Sequence, residues 1–576
     1  MWLNDLVGGS GAKGRRQAFE VQVFKTDHWV IEAVCTTEAE ARELARKLLP
    51  NREGVRIVRE YNGSSRDGTS AETIIFSEMR QVNPKAVVVP AIEEAPLCTD
   101  PKQYLGGDSR RIVTRLLRQY LEQRGLTASE VLCHPAEMKR AMNFEDMVPA
   151  AVSRVATVQA KAAGLDVRDR RESIYDSLSD LRVRAEAAAK LNLPSAAKDG
   201  LPALLAQVEK VAAGDPVEAD YLAKVALCRD TMQVRNLLGK VEWLLETCGD
   251  SRPFAAVDAL VADALGFPAV VQDLLARQPD LGTALSRLVD ILDGTFEGQK
   301  HESAPAITTL LSRWIGSGGA PETRGVLLDF LLRSLRGTNP LARDPEQQRA
   351  RFRTLLERLV RQDGVLAGGE GAEAMTSGYL RFIEQGGAEG RRLSIDGVLH
   401  MMALPRDRLV YLMALSASPL GQREAGLVLS RAQALLAPGQ GVNSLTTPQT
   451  PLKQKMQMMA GLYRATLAAG FDSADRDALA DRVDVMVADY IVQAQVIEKL
   501  DDPSASLRVR ATRLMQFAAA DVLSSPKARR IVRDQIIGHL RQPNFDGKYV
   551  EGLTTPEEKT AAIKGFYELL RQAKFV

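Results

Sequence analysis

Hydrophobic and polar residues alternate near the start of the chain. FEVQVF, at residues 19–24, places every second side chain on an apolar face, and this period predicts a half-buried strand. WVIEAV, at residues 29–34, predicts a second strand, and GVRIVREY at 54–61 and ETIIF at 72–76 predict two more. The first part of the sequence therefore predicts four strands.

A helix is predicted between the two pairs of strands. Thr37 and Glu40 have the spacing of a capping box, in which two side chains satisfy the first free amide groups of a helix. The apolar positions that follow have the spacing of one helical face: Ala41, Leu44, Ala45 and Leu48. Together these elements predict a small ββαββ α/β module at residues 19–80, which is too short to be stable by a wide margin unless it packs on something else.

The segment before this module resembles a phosphate-binding loop. GGSGAKG, at residues 8–14, supplies glycines and Lys13, but the loop motif needs a lysine followed by serine or threonine, placed after a strand and at the start of a helix. Here Gly14 follows Lys13, and the segment precedes the first strand. We therefore expect a flexible leader at residues 1–18 and no nucleotide cofactor.

The stretch after the module has no clear periodicity. Four prolines interrupt it: Pro84, Pro90, Pro96 and Pro101. This composition predicts a proline-containing linker at residues 81–107.

From Asp108 onward, apolar residues recur at helical spacing almost without interruption. The segment from Asp108 to Gly125 begins with an acidic N-cap and ends at a glycine. Two pairs have capping-box spacing: Thr127 with Glu130, and Thr555 with Glu558. Short breaks rich in glycine, proline and aspartate predict antiparallel helical hairpins. A helix pair roughly every 35–45 residues is typical of α-solenoids, although no tetratricopeptide or ankyrin consensus is present.

Two longer polar breaks, at residues 293–305 and 437–451, predict subdomain boundaries. The helical part then divides into lobes at residues 108–300, 301–440 and 441–576. We predict a mainly α fold, a helical-hairpin or α-solenoid-like array of several lobes preceded by the ββαββ module.

Composition is consistent with this fold. The 576-residue chain is 45% hydrophobic and 26% charged, which excludes disorder of the whole chain, and its 5% aromatic content favours helix over sheet. A net charge of +2 excludes a strong overall attraction to nucleic acid or anionic lipid. Five separated cysteines without CxxC fit a reducing cytosol, and no apolar run is long enough to predict membrane insertion. We expect a cytoplasmic protein, and abundant arginine and alanine indicate a GC-rich bacterial gene.

The residue patterns of catalysis and metal binding are incomplete. Ser10 and Ser317 each lack one glycine of the hydrolase motif GxSxG. Adjacent Cys133 and His134 have no second ligand pair near them in sequence. The five histidines show no HxH, HExxH or ExxH spacing: His28, His134, His301, His400 and His539. We therefore predict no catalytic, cofactor-binding or metal-binding residue, and the sequence leans against an enzyme.

Three aspartates share one face of a predicted helix. Asp477, Asp481 and Asp484 lie at positions i, i+4 and i+7. Such a face can bind a cation or supply a general base. Acidic residues opposite an apolar stripe more often form a solvated face, and we favour that interpretation.

Two basic tracts raise the question of nucleic-acid binding. The first, at residues 333–361, is interleaved with Asp344, Glu346 and Glu357, which suggests pairing within helices. The second contains fewer acidic residues. Its possible nucleic-acid contacts are Arg508, Arg510, Arg513, Lys527, Arg529, Arg530 and Arg533.

Architecture narrows the functional hypotheses. Stacked helix pairs form long surfaces suited to holding proteins or peptides. The leading hypothesis is a non-enzymatic cytoplasmic adaptor or regulatory scaffold that binds protein partners. Two alternatives remain: a nucleic-acid-associated regulator that uses the tract at 508–533, and an enzyme whose site forms between lobes from residues distant in sequence.

Overall fold

The structure is a computed structural model that describes most of the chain. The described residues are 17–25, 28–49, 52, 54–61, 71–79, 89–234, 236–248, 255–298, 306–519, 523, 525–573 and 575. They divide into two compact units, Met1–Ala91 with Met142–Ala151, and Ile92–Ala141 with Val152–Val576. Most of the predicted leader, residues 1–16, lies outside the described residues, as do residues 81–88 of the predicted linker.

The first unit contains the predicted small sheet and its helix. The elements are β1 (Gln17–Lys25), β2 (His28–Cys35), α1 (Glu38–Leu48), β3 (Gly54–Tyr61) and β4 (Ala71–Met79). All paired strands are antiparallel, in the order β2–β1–β3–β4. Val21 and Ile57 of the sheet and Ala41 and Ala45 of α1 form its buried core. The predicted ββαββ module is therefore confirmed, since its alternating residues face a helix that has one apolar stripe.

The second unit is helical, which confirms the mainly α class. Its first helices, with α6 shared between the units, are α2 (Gly107–Leu116), α3 (Arg118–Arg124), α4 (Ala128–Cys133), α5 (Pro135–Met142), α6 (Met147–Ala163), α7 (Val167–Ala189), α8 (Ala196–Asp199), α9 (Leu201–Ala212), α10 (Pro216–Thr231) and α11 (Leu237–Cys248). The middle helices are α12 (Ala255–Leu265), α13 (Pro268–Leu275), α14 (Leu281–Asp293), α15 (Ala306–Gly316), α16 (Pro321–Arg336), α17 (Pro345–Leu359), α18 (Gly368–Tyr379), α19 (Gly387–Met401) and α20 (Pro405–Ser416). The last are α21 (Pro419–Arg423), α22 (Ala425–Leu435), α23 (Val442–Leu445), α24 (Leu452–Leu467), α25 (Ser473–Gln493), α26 (Val496–Leu500), α27 (Leu507–Ala519), α28 (Pro526–Leu540), α29 (Phe545–Tyr549) and α30 (Pro556–Gln572).

Helices pack in series along the chain. A continuous row runs from α12 through α16, α18, α20, α24 and α25 to α28, each helix in contact with the next. Every residue of α12 from Ala256 to Leu265 is buried, and most of α20 is buried as well. Because each helix of the row buries its apolar surface on its neighbours, the series positions α24, α25 and α28 side by side near the end of the chain.

Aspartates and prolines start many of these helices. Five N-cap aspartates accept hydrogen bonds from first-turn amides: Asp166, Asp215, Asp280, Asp344 and Asp472. The predicted capping boxes at Thr127 and Thr555 are confirmed. At α1, the Thr37 side chain accepts from the Glu40 amide at 3.3 Å. These caps satisfy amides that have no intrahelical partner and so stabilise the starts of the helices.

Two local features differ from the sequence expectations. The helix predicted from Asp108 to Gly125 begins at Gly107 and is divided at Leu117, where ψ of 11° departs from helical geometry. A short antiparallel pair, β5 (Val360–Arg361) and β6 (Gly364–Val365), was not predicted. Gln362 and Asp363 form its two-residue turn, and Gly364, which pairs with Arg361, adopts a φ of 151° that other residues avoid.

The described part of the proline-containing segment, residues 89–106, has no regular secondary structure except for a 3-10 helix at Pro101–Leu105. Arg170 of α7 anchors it by donating to the Cys98 carbonyl at 2.7 Å.

Among the described helices, none alone has the length and apolar composition needed to cross a membrane. Of these helices, only α12 and α13 taken together have that length and composition, and the two are bent by 95° relative to each other.

Candidate functional site

A groove of about 390 Å³ lies between α24, α25 and α28. Each helix contributes a different chemistry to it. The lining residues are Tyr463 and Leu467 of α24; Asp477, Ala480, Asp481 and Asp484 of α25; and Pro526, Lys527 and Arg530 of α28. The groove therefore brings the three aspartates of the predicted acidic face next to two residues of the second basic tract.

Asp484 of α25 caps the N-terminus of α28. Its side chain accepts the Lys527 amide at 2.9 and 3.0 Å and the Ala528 amide at 3.4 Å. Ser525, at the N-cap of α28, makes no capping hydrogen bond, so a carboxylate from another helix takes that role. Asp484 is only 4% exposed. The prediction of a solvated face was therefore wrong for Asp484, because this side chain is buried where it accepts the first-turn amides of α28.

The other two aspartates remain near the surface. Asp481 Oδ1 lies 2.6 Å from Lys527 Nζ, and both side chains are exposed. Asp477 lies 3.5 Å from the neighbouring Arg476, and its side chain is 70% exposed. Exposed pairs of this kind contribute little to folding, so both carboxylates can be reoriented toward a ligand at low cost.

Tyr463 forms the polar part of the groove floor. It is 8% exposed, and its hydroxyl has no hydrogen-bond partner among the described residues. Burial, together with the charges of Asp484, Asp481 and Asp477, raises the pKa of Tyr463. The phenol thus stays protonated near neutral pH and offers both an O–H donor and an acceptor oxygen.

Arg530 lines the groove from α28, whereas the acidic residues line it from α25. It is exposed and has no ion-pair or hydrogen-bond partner within the described part of the chain. Between the charged walls, Leu467, Ala480 and Pro526 provide apolar surface. The groove is therefore a mixed-charge site with an acidic side, a basic side and an apolar strip.

The second basic tract does not form one basic surface of seven side chains. Arg510 donates to Asp501 at 2.6 Å, Lys527 pairs with Asp481, and Arg529 donates to the Leu523 carbonyl at 3.0 Å. The remaining candidates are half-buried Arg508 and exposed Arg513, Arg530 and Arg533. Three of the seven predicted contacts thus serve interactions within the protein.

The first basic tract pairs differently from the prediction. Only Arg333, with Asp329 at 2.8 Å, forms the expected pair within one helix. Arg351 pairs with Asp280 at 3.1 Å, and Arg358 and Arg361 pair with Asp290 and Asp293 of α14. These acidic partners are about 70 positions away in sequence, so helical spacing could not identify them.

His539 is part of a buried cluster with Asp501. Its Nε2 lies 2.8 Å from Asp501 Oδ1, and its Nδ1 lies 3.0 Å from the Gln542 amide nitrogen. Burial alone would raise the pKa of Asp501, but hydrogen bonds from Arg510 and Gln535 and the charge of His539 hold it below its ordinary value. Both ring nitrogens are occupied, so this histidine holds α26 and α28 together and has no nitrogen available as a general base.

Ser317, Cys133 and His134 lie at the ends of helices. Ser317 follows α15, and its hydroxyl donates to the Trp314 carbonyl at 2.7 Å, as expected at a helix end. Cys133 is buried at the end of α4, and His134 follows it as the C-cap. Within the described residues, no group of three histidine, cysteine, aspartate or glutamate side chains is arranged to hold a metal ion.

A buried polar cluster in the N-terminal half of the helical unit was not anticipated. Glu130 and Lys240 are 0% and 1% exposed, and Lys240 Nζ lies 2.6 Å from both carboxylate oxygens. Thr231 donates to the same carboxylate at 2.6 Å. Nearby, Arg110 pairs with Asp263 at 2.9 Å. The capping-box spacing of Glu130 was visible in the sequence, but its distant partner Lys240 was not.

Comparison with known proteins identifies no relative of this chain. No protein-family model matches the chain, and neither curated proteins nor solved structures contain a detectable match. A functional proposal for this chain therefore has to be argued from the geometry of the molecule itself.

Proposed function

We propose that this chain is a non-enzymatic adaptor or regulatory scaffold of the bacterial cytoplasm that binds protein partners through its helical array. The observation that carries the proposal is the groove between α24, α25 and α28. It combines apolar surface with two polar groups that have no partner among the described residues and reach solvent, Tyr463 and Arg530. Interfaces use this combination, in which an apolar strip supplies contact area and a few polar groups supply specificity.

The chemistry of the groove supports binding over catalysis. Asp484 accepts backbone amides of α28, and Asp481 lies in an exposed ion pair with Lys527. General acid–base or nucleophilic catalysis needs a group that is held beside its reacting partner and able to exchange a proton or attack. Neither aspartate meets that description, whereas an adaptor needs only complementary charge and shape.

The charge of the groove supports a protein partner over nucleic acid. Three carboxylates line it against two cations. A phosphate backbone needs several unpaired basic residues on one surface, and an acidic wall beside them repels it. A peptide segment can present charges of both signs and so match both walls.

A photo-crosslinker placed at the groove tests the proposal in the full-length protein. Leu467 lines the groove and is 47% exposed, so we expect p-benzoylphenylalanine at this position to form a covalent adduct with one defined protein in the native cytosol. The same substitution at Val183 of α7, which is 56% exposed, is the matched control. The purified partner should then bind the unmodified chain. Recovery of the chain alone from both variants, across several growth conditions, would contradict an adaptor function, and an adduct with nucleic acid would favour the regulator alternative.

A further inference from the structure

Building on the adaptor function proposed above, we infer that the groove between α24, α25 and α28 binds an arginine side chain carried by a peptide segment of the partner protein. Asp477, Asp481 and Tyr463 receive the guanidinium group. Arg530 faces an acidic residue of the same segment.

The balance of charge calls for a cation on the α25 side. Lys527 is already paired with Asp481 at 2.6 Å, and Arg530 belongs to the α28 wall. Asp477 therefore remains as a carboxylate whose nearest basic group is the flexible, adjacent Arg476 at 3.5 Å. A positive side chain entering from solvent would meet an unbalanced negative surface there.

The floor of the groove supplies an independent observation. The Tyr463 hydroxyl is part of a side chain that is more than nine-tenths buried, and it has no hydrogen-bond partner among the described residues. The hydroxyl itself reaches solvent in the groove, where it can donate and accept hydrogen bonds. A guanidinium N–H that donates to the phenol oxygen would satisfy it, and the same group would reach the carboxylates beside it.

The arrangement favours arginine over lysine and over a metal ion. Asp477 and Asp481 are four positions apart on α25, so their side chains are neighbours on one helical face. A planar guanidinium offers five donors in a fixed fork that can serve two carboxylates and a phenol at once, whereas an ammonium is a compact point charge. The third aspartate, Asp484, is unavailable to a metal because its oxygens accept amide hydrogens of α28.

The apolar strip fits the rest of the ligand. Leu467 and Ala480 lie beside the acidic wall, where the methylene stem of arginine can pack. Arg530, exposed and unpaired within the described residues, then selects a segment with a carboxylate near its arginine. Free arginine would use only part of this groove.

Selection from a displayed library of random peptides, about twelve residues long, tests the inference because a peptide of that length can cover a groove of this kind. The target is the full chain, and unbound peptides are removed on the double variant Asp477→Asn, Asp481→Asn. We expect the enriched peptides to share an arginine with a nearby aspartate or glutamate. Enrichment of peptides without arginine would overturn the inference.

Fluorescence anisotropy with the best labelled peptide then measures each contact. Replacing its arginine with citrulline, or introducing the double variant, should weaken Kd at least about tenfold, as expected for the central contact of an interface. Arg530→Glu should weaken it as well. The controls are Asp489→Asn on α25 and Arg533→Glu on α28, exposed positions outside the groove that should leave Kd unchanged. A lysine peptide that binds as tightly as the arginine peptide, or equal binding to all variants, would overturn the assignment.

These results separate failure of the inference from failure of the adaptor function. If crosslinking at Leu467 yields a protein partner whose binding is insensitive to the double variant, the adaptor function stands and the arginine site is wrong. Circular dichroism and thermal melting of each variant establish that it is folded. The three groove substitutions, at Asp477, Asp481 and Arg530, all change exposed side chains, so loss of folding is not expected.

Discussion

The helical unit uses acidic and basic side chains in two contrasting ways. In the buried polar cluster, Glu130 accepts from Lys240, from Thr231 and from the Thr127 amide, and none of these groups reaches solvent to any extent. In the C-terminal groove, Asp477 and Arg530 face solvent without strong partners in the described structure. The comparison shows that the same residue types fix the fold where they are enclosed and fully paired, and remain accessible to solvent where they are not.

The physical basis of this contrast is solvation. A charge removed from water must be matched by a partner and by hydrogen bonds, or folding is opposed by several kcal/mol, about 3–5 when one partner is missing. An exposed charge is stabilised by water and loses little when its partner is changed. Substitutions in the two regions should therefore have opposite profiles, with large effects on stability in one and large effects on binding in the other.

The largest effect is expected at Glu130. Glu130→Gln removes the negative charge and leaves Lys240 buried as an unpaired cation, so we expect the free energy of unfolding to fall by about 3–5 kcal/mol. Urea unfolding followed by circular dichroism measures this loss. Glu122→Gln, at an exposed position of α3, is the control and should change the midpoint little. A small effect at Glu130 would remove the basis of the comparison.

A smaller, pH-dependent effect is expected at Asp501. This carboxylate is 6% exposed and holds Arg510 and His539, so Asp501→Asn should lower stability by about 2 kcal/mol at neutral pH. Because its folded pKa lies below the unfolded value of about 3.9, the stabilisation is present above that pH and is lost as pH falls through the folded pKa. The difference between wild type and variant should therefore shrink in acid. A difference that grows below about pH 4 would contradict the ion-pair assignment.

The smallest effect on stability is expected in the groove. Asp481→Asn breaks an exposed pair with Lys527, which should change the free energy of unfolding by less than about 1 kcal/mol. The same urea measurement applies, with Asp489→Asn as the matched control on α25. A loss comparable to that of Glu130→Gln would show that the groove charges hold the fold together and are not reserved for a ligand.

Local sequence patterns identified elements better than they identified contacts. The capping boxes at Thr127 and Thr555 and the alternation at residues 19–24 were visible because each depends on neighbours a few positions away. The break at Leu117 left no such pattern. The β5–β6 hairpin left none either, because its two-residue strands are too short to show alternation and its turn, Gln362–Asp363, lacks the glycine that favours a tight hairpin.

The candidate site could be predicted only in part. The spacing of Asp477, Asp481 and Asp484 correctly placed them on one helical face, and the basic tract included Lys527 and Arg530. Their meeting depends on how α25 packs against α28, which no spacing reveals. The roles of Asp484, as a cap for another helix, and of Tyr463, as a phenol that lines the groove, follow from tertiary packing alone.

Asp484 also helps to fix the shape of the groove. Because this carboxylate joins α25 to the first turn of α28, the distance between the acidic and basic walls is set by the folded protein before a ligand arrives. A preorganised groove of this kind loses little conformational entropy on association. Segments whose charges have the matching separation would bind, and segments of similar composition but different spacing would be rejected.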